Sequence, residues 1–386
     1  METRKHGTGL GALLLMTALA FGGHAILFPT VPLWVVEHGA GTTGAGAVNA
    51  VLMLFTVLTQ LAMPATLRRL GWPPTLVLGV LLLGLPSLLQ LLAQDLGPVL
   101  ALAALRGIGF GIITVCGATA VAELADPARR GAAIGAYGFA IAAPQFVLTP
   151  AAPWAAQNLG YGIVFLAGAC PILAVLPALR LGRAVHAAID ARATSAAPSP
   201  PRPVLRDTLR ALIAPMLILL GVTAAGGALL TFTPQMTTSA TAALLGLLAL
   251  TGIAAISRWW FGILADRHGT RPYRAPLIGL TLAGLLLAAW AVTTPTDTNG
   301  LALIAGLALI GIAYGGLQNL TLIDSFAYVG PRQYSTASTT WNIGFDAGTG
   351  LGAITTGYLA AQQGFPVALL ALAAIALATM PLALRR

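Results

Sequence analysis

Charge is scarce in this chain: Asp, Glu, Lys and Arg make up only 8% of its 386 residues. A water-soluble domain carries about a quarter, so these side chains cannot clothe a water-facing surface of this size. Lysine is nearly missing, with Lys5 alone against nineteen arginines. The two cysteines, Cys116 and Cys170, both lie inside apolar runs, which excludes a disulfide framework, and no Cys or His spacing suits a metal. A phosphate-binding Gly-x-x-x-x-Gly-Lys-Ser/Thr loop is absent, so the chain carries no site of its own for an ATP-driven pump. A nucleophile elbow and an HExxH zinc motif are absent too. Neither an enzyme, nor a cofactor, nor a metal is expected.

Long apolar runs are what the chain has instead, with hydrophobic residues at 57%. They fall near 9–36, 43–66, 75–93, 98–123, 131–154 and 161–179, and again near 211–235, 241–265, 275–293, 301–327, 335–360 and 366–384. Each reaches the roughly 18 residues needed to cross a bilayer. Backbone hydrogen bonding in hydrocarbon makes each a helix, and none shows the polar–apolar alternation of a membrane barrel. The expectation is an all-α integral membrane protein of twelve transmembrane helices. The stretch METRKHGTG runs into the first span without a small-residue cleavage site, so that span reads as a retained helix.

The net charge of +9 is no signal for nucleic acid, because the arginines punctuate run ends instead of clustering. Arg4 and Lys5 precede the first span. Arg68 and Arg69 follow the second, Arg129 and Arg130 the fourth, Arg267, Arg271 and Arg274 the eighth, Arg332 the tenth, and Arg385 and Arg386 the twelfth. Six more lie between Arg180 and Arg210. The alternate connections, such as 94–97 and 294–300, carry none. By the positive-inside rule both termini are cytoplasmic, which places the chain as a multi-pass protein of a bacterial inner membrane. The Arg-, Ala- and Pro-rich stretch 181–210 reads as a cytoplasmic linker joining a six-helix half, 1–180, to a second, 211–386.

The halves echo one another. Leu67–Gly71 (LRRLG) matches Ala265–Gly269 (ADRHG), Gly107–Gly111 (GIGFG) resembles Gly311–Gly315 (GIAYG), and Pro127 then falls on Pro331. An internal repeat of this size implies two pseudo-symmetric six-helix units around a central cavity. The stretch GILADRHGTR, from Gly262 to Arg271, stands between the eighth and ninth spans. Its pattern Gly-x-x-x-Asp-Arg-x-Gly-x-Arg resembles the signature loop of the major facilitator superfamily of transporters. RGIGFG, ELADPARRG and WNIGFDAGTGLG are similar to wording in its bacterial drug–proton antiporter group. The resemblance implies a cytoplasmic gate built from Gly262, Asp266, Arg267, Gly269 and Arg271. In it Asp266 meets the start of the fifth span near Gly131, since a helix start carries about half a positive charge, and Arg267 reaches an acid such as Asp324. Arg69 is the surviving counterpart in the first half, where Pro64 and Arg68 replace the Gly and the Asp. Glu123 lies where Arg69 or Arg130 neutralises it. The alternative for these arginines is orientation alone.

Five ionisable residues inside spans are candidates for proton coupling. Arg106 in RGIGFG lies about 12 Å deep from the outer face, where an arginine is costly unless it faces a cavity or an acid. Asp346 lies about 16 Å deep, near the midplane. It reads as a proton-titrating or substrate-sensing acid, or else as structural glue to Arg258 or backbone. Arg258 and Asp324 are similar in depth and form an expected pair. His24, among Gly and Ala with Phe21 and Phe28 nearby, is either titrating or a packing residue. In the fifth span Gly135, Gly138 and Pro144 fit an antiporter motif loosely and fit close packing with a kink equally well. Candidate cavity groups are Asn49, Gln60, Gln145, Gln235, Gln318, Asn319 and Asn342, with the aromatics Tyr137, Tyr314, Trp341 and Phe345.

The functional expectation is a secondary active transporter, working by alternating access as a monomer: proton-coupled efflux of a small amphiphilic compound or drug. The alternative is a proton-coupled importer of a sugar, metabolite or metal chelate on the same fold. A third class, a non-transporting sensor or membrane enzyme, predicts no flux. The partners expected are a small-molecule substrate, protons and lipid, with no nucleic acid.

Overall fold

The computed structural model describes residues 2–125, 130–193, 205–294, 298–329 and 334–384. The expectations placed on Pro127, Arg129, Pro331, Arg332, Arg385, Arg386 and the linker centre fall outside them.

The described residues form helices joined by short turns. In the first half these are α1 (Glu2–Glu37), α2 (Gly41–Leu70), α3 (Trp72–Leu89), α4 (Leu96–Leu124), α5 (Arg130–Leu159), α6 (Tyr161–Gly168) and α7 (Val175–Ala193). In the second they are α8 (Leu205–Phe232), α9 (Ala240–His268), α10 (Arg271–Ala291), α11 (Gly300–Ala327), α12 (Tyr334–Gln363), α13 (Phe365–Ala378) and α14 (Met380–Leu384). The pairs α6–α7 and α13–α14 each make one crossing, broken at Cys170–Ala174 and at Thr379. Among the described residues ten crossings are long and apolar enough to span a bilayer. α5 and α12 are 30 residues each and complete the twelve. α7 continues to Ala193, so helix occupies the first part of the expected linker, and α8 begins at Leu205.

The repeat read from the sequence is present in backbone geometry. α2 ends on Gly71 and α9 on Gly269, both with φ +75°. Each caps its helix through an N–H to the carbonyl four residues back, Leu67 at 3.0 Å and Ala265 at 2.8 Å. Only glycine adopts this conformation without strain. The helix pairs that follow use the same contact twice. Gly107 and Gly111 of α4 lie against the carbonyls of Leu52 and Thr56 on α2, and Gly311 and Gly315 of α11 lie against those of Leu250 and Ala254 on α9. Lipid gives no hydrophobic drive between helices, so backbone approach at small residues supplies the packing.

The apolar clusters show how the halves meet. At the end away from the arginines, one cluster draws on both halves, joining Val31, Ala45, Leu52 and Val99 to Ala224, Leu229, Leu303 and Leu372. At the arginine-rich end the core divides. One cluster holds first-half residues such as Leu13, Leu76, Ile113 and Val185, and another holds second-half residues such as Ile218, Leu277, Leu317 and Ala383. Among the described residues, the two halves share one apolar cluster at one end and hold separate clusters at the other.

Candidate functional site

Two interhalf seams, α2 with α12 and α5 with α9, border the space between the halves. On the first seam, Thr43 donates to the carbonyl of Gly357 at 3.4 Å, Gly46 lies on the backbone of Ala353, and Gly350 lies on Met53. Further toward the arginine-rich end, Gln60 Nε2 donates to Asp346 Oδ2 at 2.7 Å. On the second seam Phe146 fills the space beside Gly252. Two turns further toward the arginine-rich end, on the same helix faces, Phe139 is 73% and Trp259 66% exposed. Both helices of this seam thus present an exposed aromatic side chain two turns beyond the Phe146–Gly252 contact.

The Gln60–Asp346 bond anchors a polar layer. The Gln60 amide also reaches Thr114 Oγ1 of α4 at 3.3 Å, while its Oε1 has no partner among the described residues. Asp346 is buried. Tyr314 of α11 lies within electrostatic reach of both Asp346 and Arg258, and its ring is 6.2 Å from Phe345. Gln318, one turn beyond Tyr314, is buried. Trp341 stacks on Phe345 at 5.6 Å and donates to Thr321 Oγ1 at 3.1 Å. The layer follows the repeat. Gln60 stands eleven residues before Gly71, as Arg258 stands before Gly269, and Thr114 stands three after Gly111, as Gln318 stands after Gly315. Each half thus presents one long polar side chain from its second crossing and one shorter one from its fourth.

Arg106 lies deeper in the first half. It is 1% exposed, and among the described residues none of its three guanidinium nitrogens has an acceptor. One turn along α4, Phe110 stacks on His24 at 3.9 Å with the rings 8° from parallel. His24 lies within electrostatic reach of Arg106, and its Nδ1 is unpartnered among the described residues.

Several expected placements are corrected. Asp324 pairs with neither Arg258 nor Arg267. Arg274 Nη1 of α10 reaches its Oδ2 at 3.3 Å and Thr270 donates to its Oδ1 at 2.5 Å, with both charged side chains buried. The reason is the Gly269 cap, which turns the chain so that α10 starts beside the end of α11. Asp324 is thus a structural tie within the second half. Asp266 and Arg267 are exposed and make no hydrogen bond or ion pair among the described residues. The surroundings of Gly131, the expected target of Asp266, lie outside them. Gly262 passes close to Asn319, Arg271 lies within electrostatic reach of Asp324, Arg69 is exposed, and Glu123 is half-buried near the end of α4.

Six of the expected cavity groups bond or pack on partners other than Gln60, Asp346 or Tyr314. Asn49 is fully buried in the closed seam, donating to the carbonyl of Phe28 at 3.0 Å and to Thr231 at 2.9 Å. Gln235 lines a separate space at the far end with Phe365 and Pro366. Asn319 donates to the Arg258 carbonyl at 2.8 Å, a tie within one half. Gln145 and Asn342 bond to carbonyls of their own helices. Tyr137 packs its hydroxyl over Gly117 within the first half. Thr114 and Thr231 were not anticipated. Their offset from the repeated glycines was the available signal for the first, and nothing local marks the second.

Residues 13–338 match the family model described as Major Facilitator Superfamily. A probable 4-methylmuconolactone transporter of Cupriavidus pinatubonensis is 26% identical over 321 residues, which is 78% of this chain and 69% of that protein. The crystal structure of the nucleoside transporter NupG superposes with a TM-score of 0.73 at 13% identity, covering 98% of this chain and 100% of that one. A bacterial homologue of the human lysosomal transporter Spinster, inward-facing and unoccupied, gives 0.69 at 14% identity, covering 98% and 96%.

Proposed function

Since this chain belongs to the Major Facilitator Superfamily, a family of membrane transporters and not of enzymes, we propose that it moves a small anionic metabolite by proton-coupled alternating access. The observation that carries this is the charge balance of the membrane interior. Arg274 and Asp324 neutralise one another. What remains is Arg106 and Arg258 against Asp346, and neither arginine makes an ion pair among the described residues. Arg106 is 1% exposed, whereas Arg258 is exposed; a buried cation such as Arg106 without a counter-charge costs several kcal/mol, and a carboxylate or similar anion in the substrate relieves it. Asp346 is the proton-carrying acid in this reading. Protonation removes the negative end of its bond with Gln60 and loosens the seam at the point where the halves part.

The relative named for 4-methylmuconolactone supports a metabolite as substrate. By the positive-inside rule, the arginine-rich end faces the cytoplasm of a bacterial inner membrane, so the described state is open inward. Efflux of amphiphilic drugs is the second reading, favoured by the exposed Phe139 and Trp259 beside the opening.

Proteoliposomes under an imposed pH gradient test both. Expected is gradient-driven movement of 4-methylmuconolactone or of benzoate, no movement of benzamide, and loss of flux in Arg106→Gln. Movement of lipophilic cations alone would overturn the anionic reading in favour of efflux.

A further inference from the structure

A groove of about 500 Å³ lies away from the interhalf space, at the arginine-rich end of the first half. Its walls come from α1 and from the crossing that ends in α7. Gly11 and Leu15 lie on one side, and Pro177, Arg180 and Arg183 on the other. Gly11 leaves the space beside α1 open, since a Cβ there would meet nothing within 4 Å. Leu15 is half exposed at 53%. Both arginines are exposed and, among the described residues, neither makes a hydrogen bond or an ion pair. The one carboxylate following on this helix, Asp190, is engaged with His186 at 3.5 Å.

The depth of the groove decides what fits it. Arg180 lies nineteen residues beyond Tyr161, where this crossing begins, a rise of about 28 Å. The hydrocarbon core is about 30 Å thick. The two guanidinium groups therefore stand at headgroup level, and Leu15 and Pro177 stand below them at the depth of acyl chains. A soluble anion would meet the arginines and leave the apolar floor uncovered. A neutral lipid would cover the floor and leave two cations without an acceptor. Guanidinium forks bind phosphate oxygens two at a time.

We propose that this groove is a binding site for an anionic phospholipid, with the phosphate held between Arg180 and Arg183 and one acyl chain along Leu15 and Pro177. Such a lipid fastens α1 to α7 on the outside of the first half.

The test uses the full-length protein in mild detergent, with lipids resolved by native mass spectrometry. Phosphatidylglycerol, cardiolipin, phosphatidylcholine and inorganic phosphate are offered in turn. The parent is expected to retain phosphatidylglycerol or cardiolipin over phosphatidylcholine and to retain no inorganic phosphate. The double variant Arg180→Gln, Arg183→Gln is expected to lose that preference by about thirtyfold, at roughly a kcal/mol per basic residue near the surface. Arg206→Gln with Arg210→Gln removes the same charge from exposed positions on α8 at the same end and is expected to keep the preference. Equal losses in the two double variants would show a diffuse charge effect and overturn the site. So would retention of phosphatidylcholine as strong as that of phosphatidylglycerol, or binding of free phosphate alone. Equal melting temperatures in phosphatidylcholine nanodiscs confirm that the variants are folded.

Discussion

Gln60 and Asp346 lie 286 residues apart in sequence and 2.7 Å apart in space, amide nitrogen to carboxylate oxygen. The bond joins α2 of one half to α12 of the other, at the level where one shared core gives way to two separate ones. Hydrogen bonds to a charged group contribute about 1.5–3 kcal/mol, enough to move a two-state equilibrium by tenfold or more.

Replacing Gln60 by Ala should weaken the closed seam and raise the population open at the far end. A cysteine placed at Thr43, whose hydroxyl reaches the Gly357 carbonyl in the closed seam, reports this through its rate of labelling from that side. Tenfold faster labelling is expected, and an unchanged rate would show that the bond does not govern the seam.

Asp346→Asn keeps the shape and the hydrogen-bonding capacity but cannot change charge. Gradient-driven accumulation should be lost while exchange of internal for external substrate persists. If accumulation survives at the parent's level, the proton is carried elsewhere.

Arg106 is the site where stability and activity should part company. Its guanidinium is buried without an acceptor, so Arg106→Met removes an uncompensated charge. The melting temperature in detergent should rise by a few degrees, at about 2–4 °C per kcal/mol for domains of 150–250 residues, while transport is abolished. A lower melting temperature would mean that the arginine is satisfied in the membrane by something other than substrate.

Arg274→Ala strands the buried carboxylate of Asp324, a change that costs about 3–5 kcal/mol when one partner of a buried pair is removed. Folded yield and melting temperature should fall sharply, and Arg274→Ala with Asp324→Asn should recover part of the loss. Recovery of neither would place the two residues in separate roles.

Much of this was readable from the chain alone. The membrane-spanning helices and the equivalence of Gly71 with Gly269 rest on composition and on local backbone demands, both of which the sequence carries directly. Partner choice was harder to read. The helices are apolar nearly all round, so no polar stripe says which face of α12 meets α2, and Asp346 was placed by depth but not by partner. Depth alone suggested Arg258 for Asp324. The true partner, Arg274, is set by how the chain turns at Gly269, a feature of three-dimensional geometry. Asn49 and Gln235 were grouped with the cavity because they are polar, yet one is locked into the closed seam and the other lies at the far end.

The glycine contacts repeated in the two halves, Gly107 on Leu52 and Gly311 on Leu250, bear on where motion can occur. Backbones in direct contact leave no side chain to repack and no gap to slide into. The pairs α2–α4 and α9–α11 should therefore behave as stiff beams, each keeping its internal distances through a full transport cycle. Spin labels spanning either pair would give the same distance with the protein open to one side or to the other, and labels spanning α2 and α12 would not. Alternating access would then tilt the two beams against one another across the seam between α2 and α12.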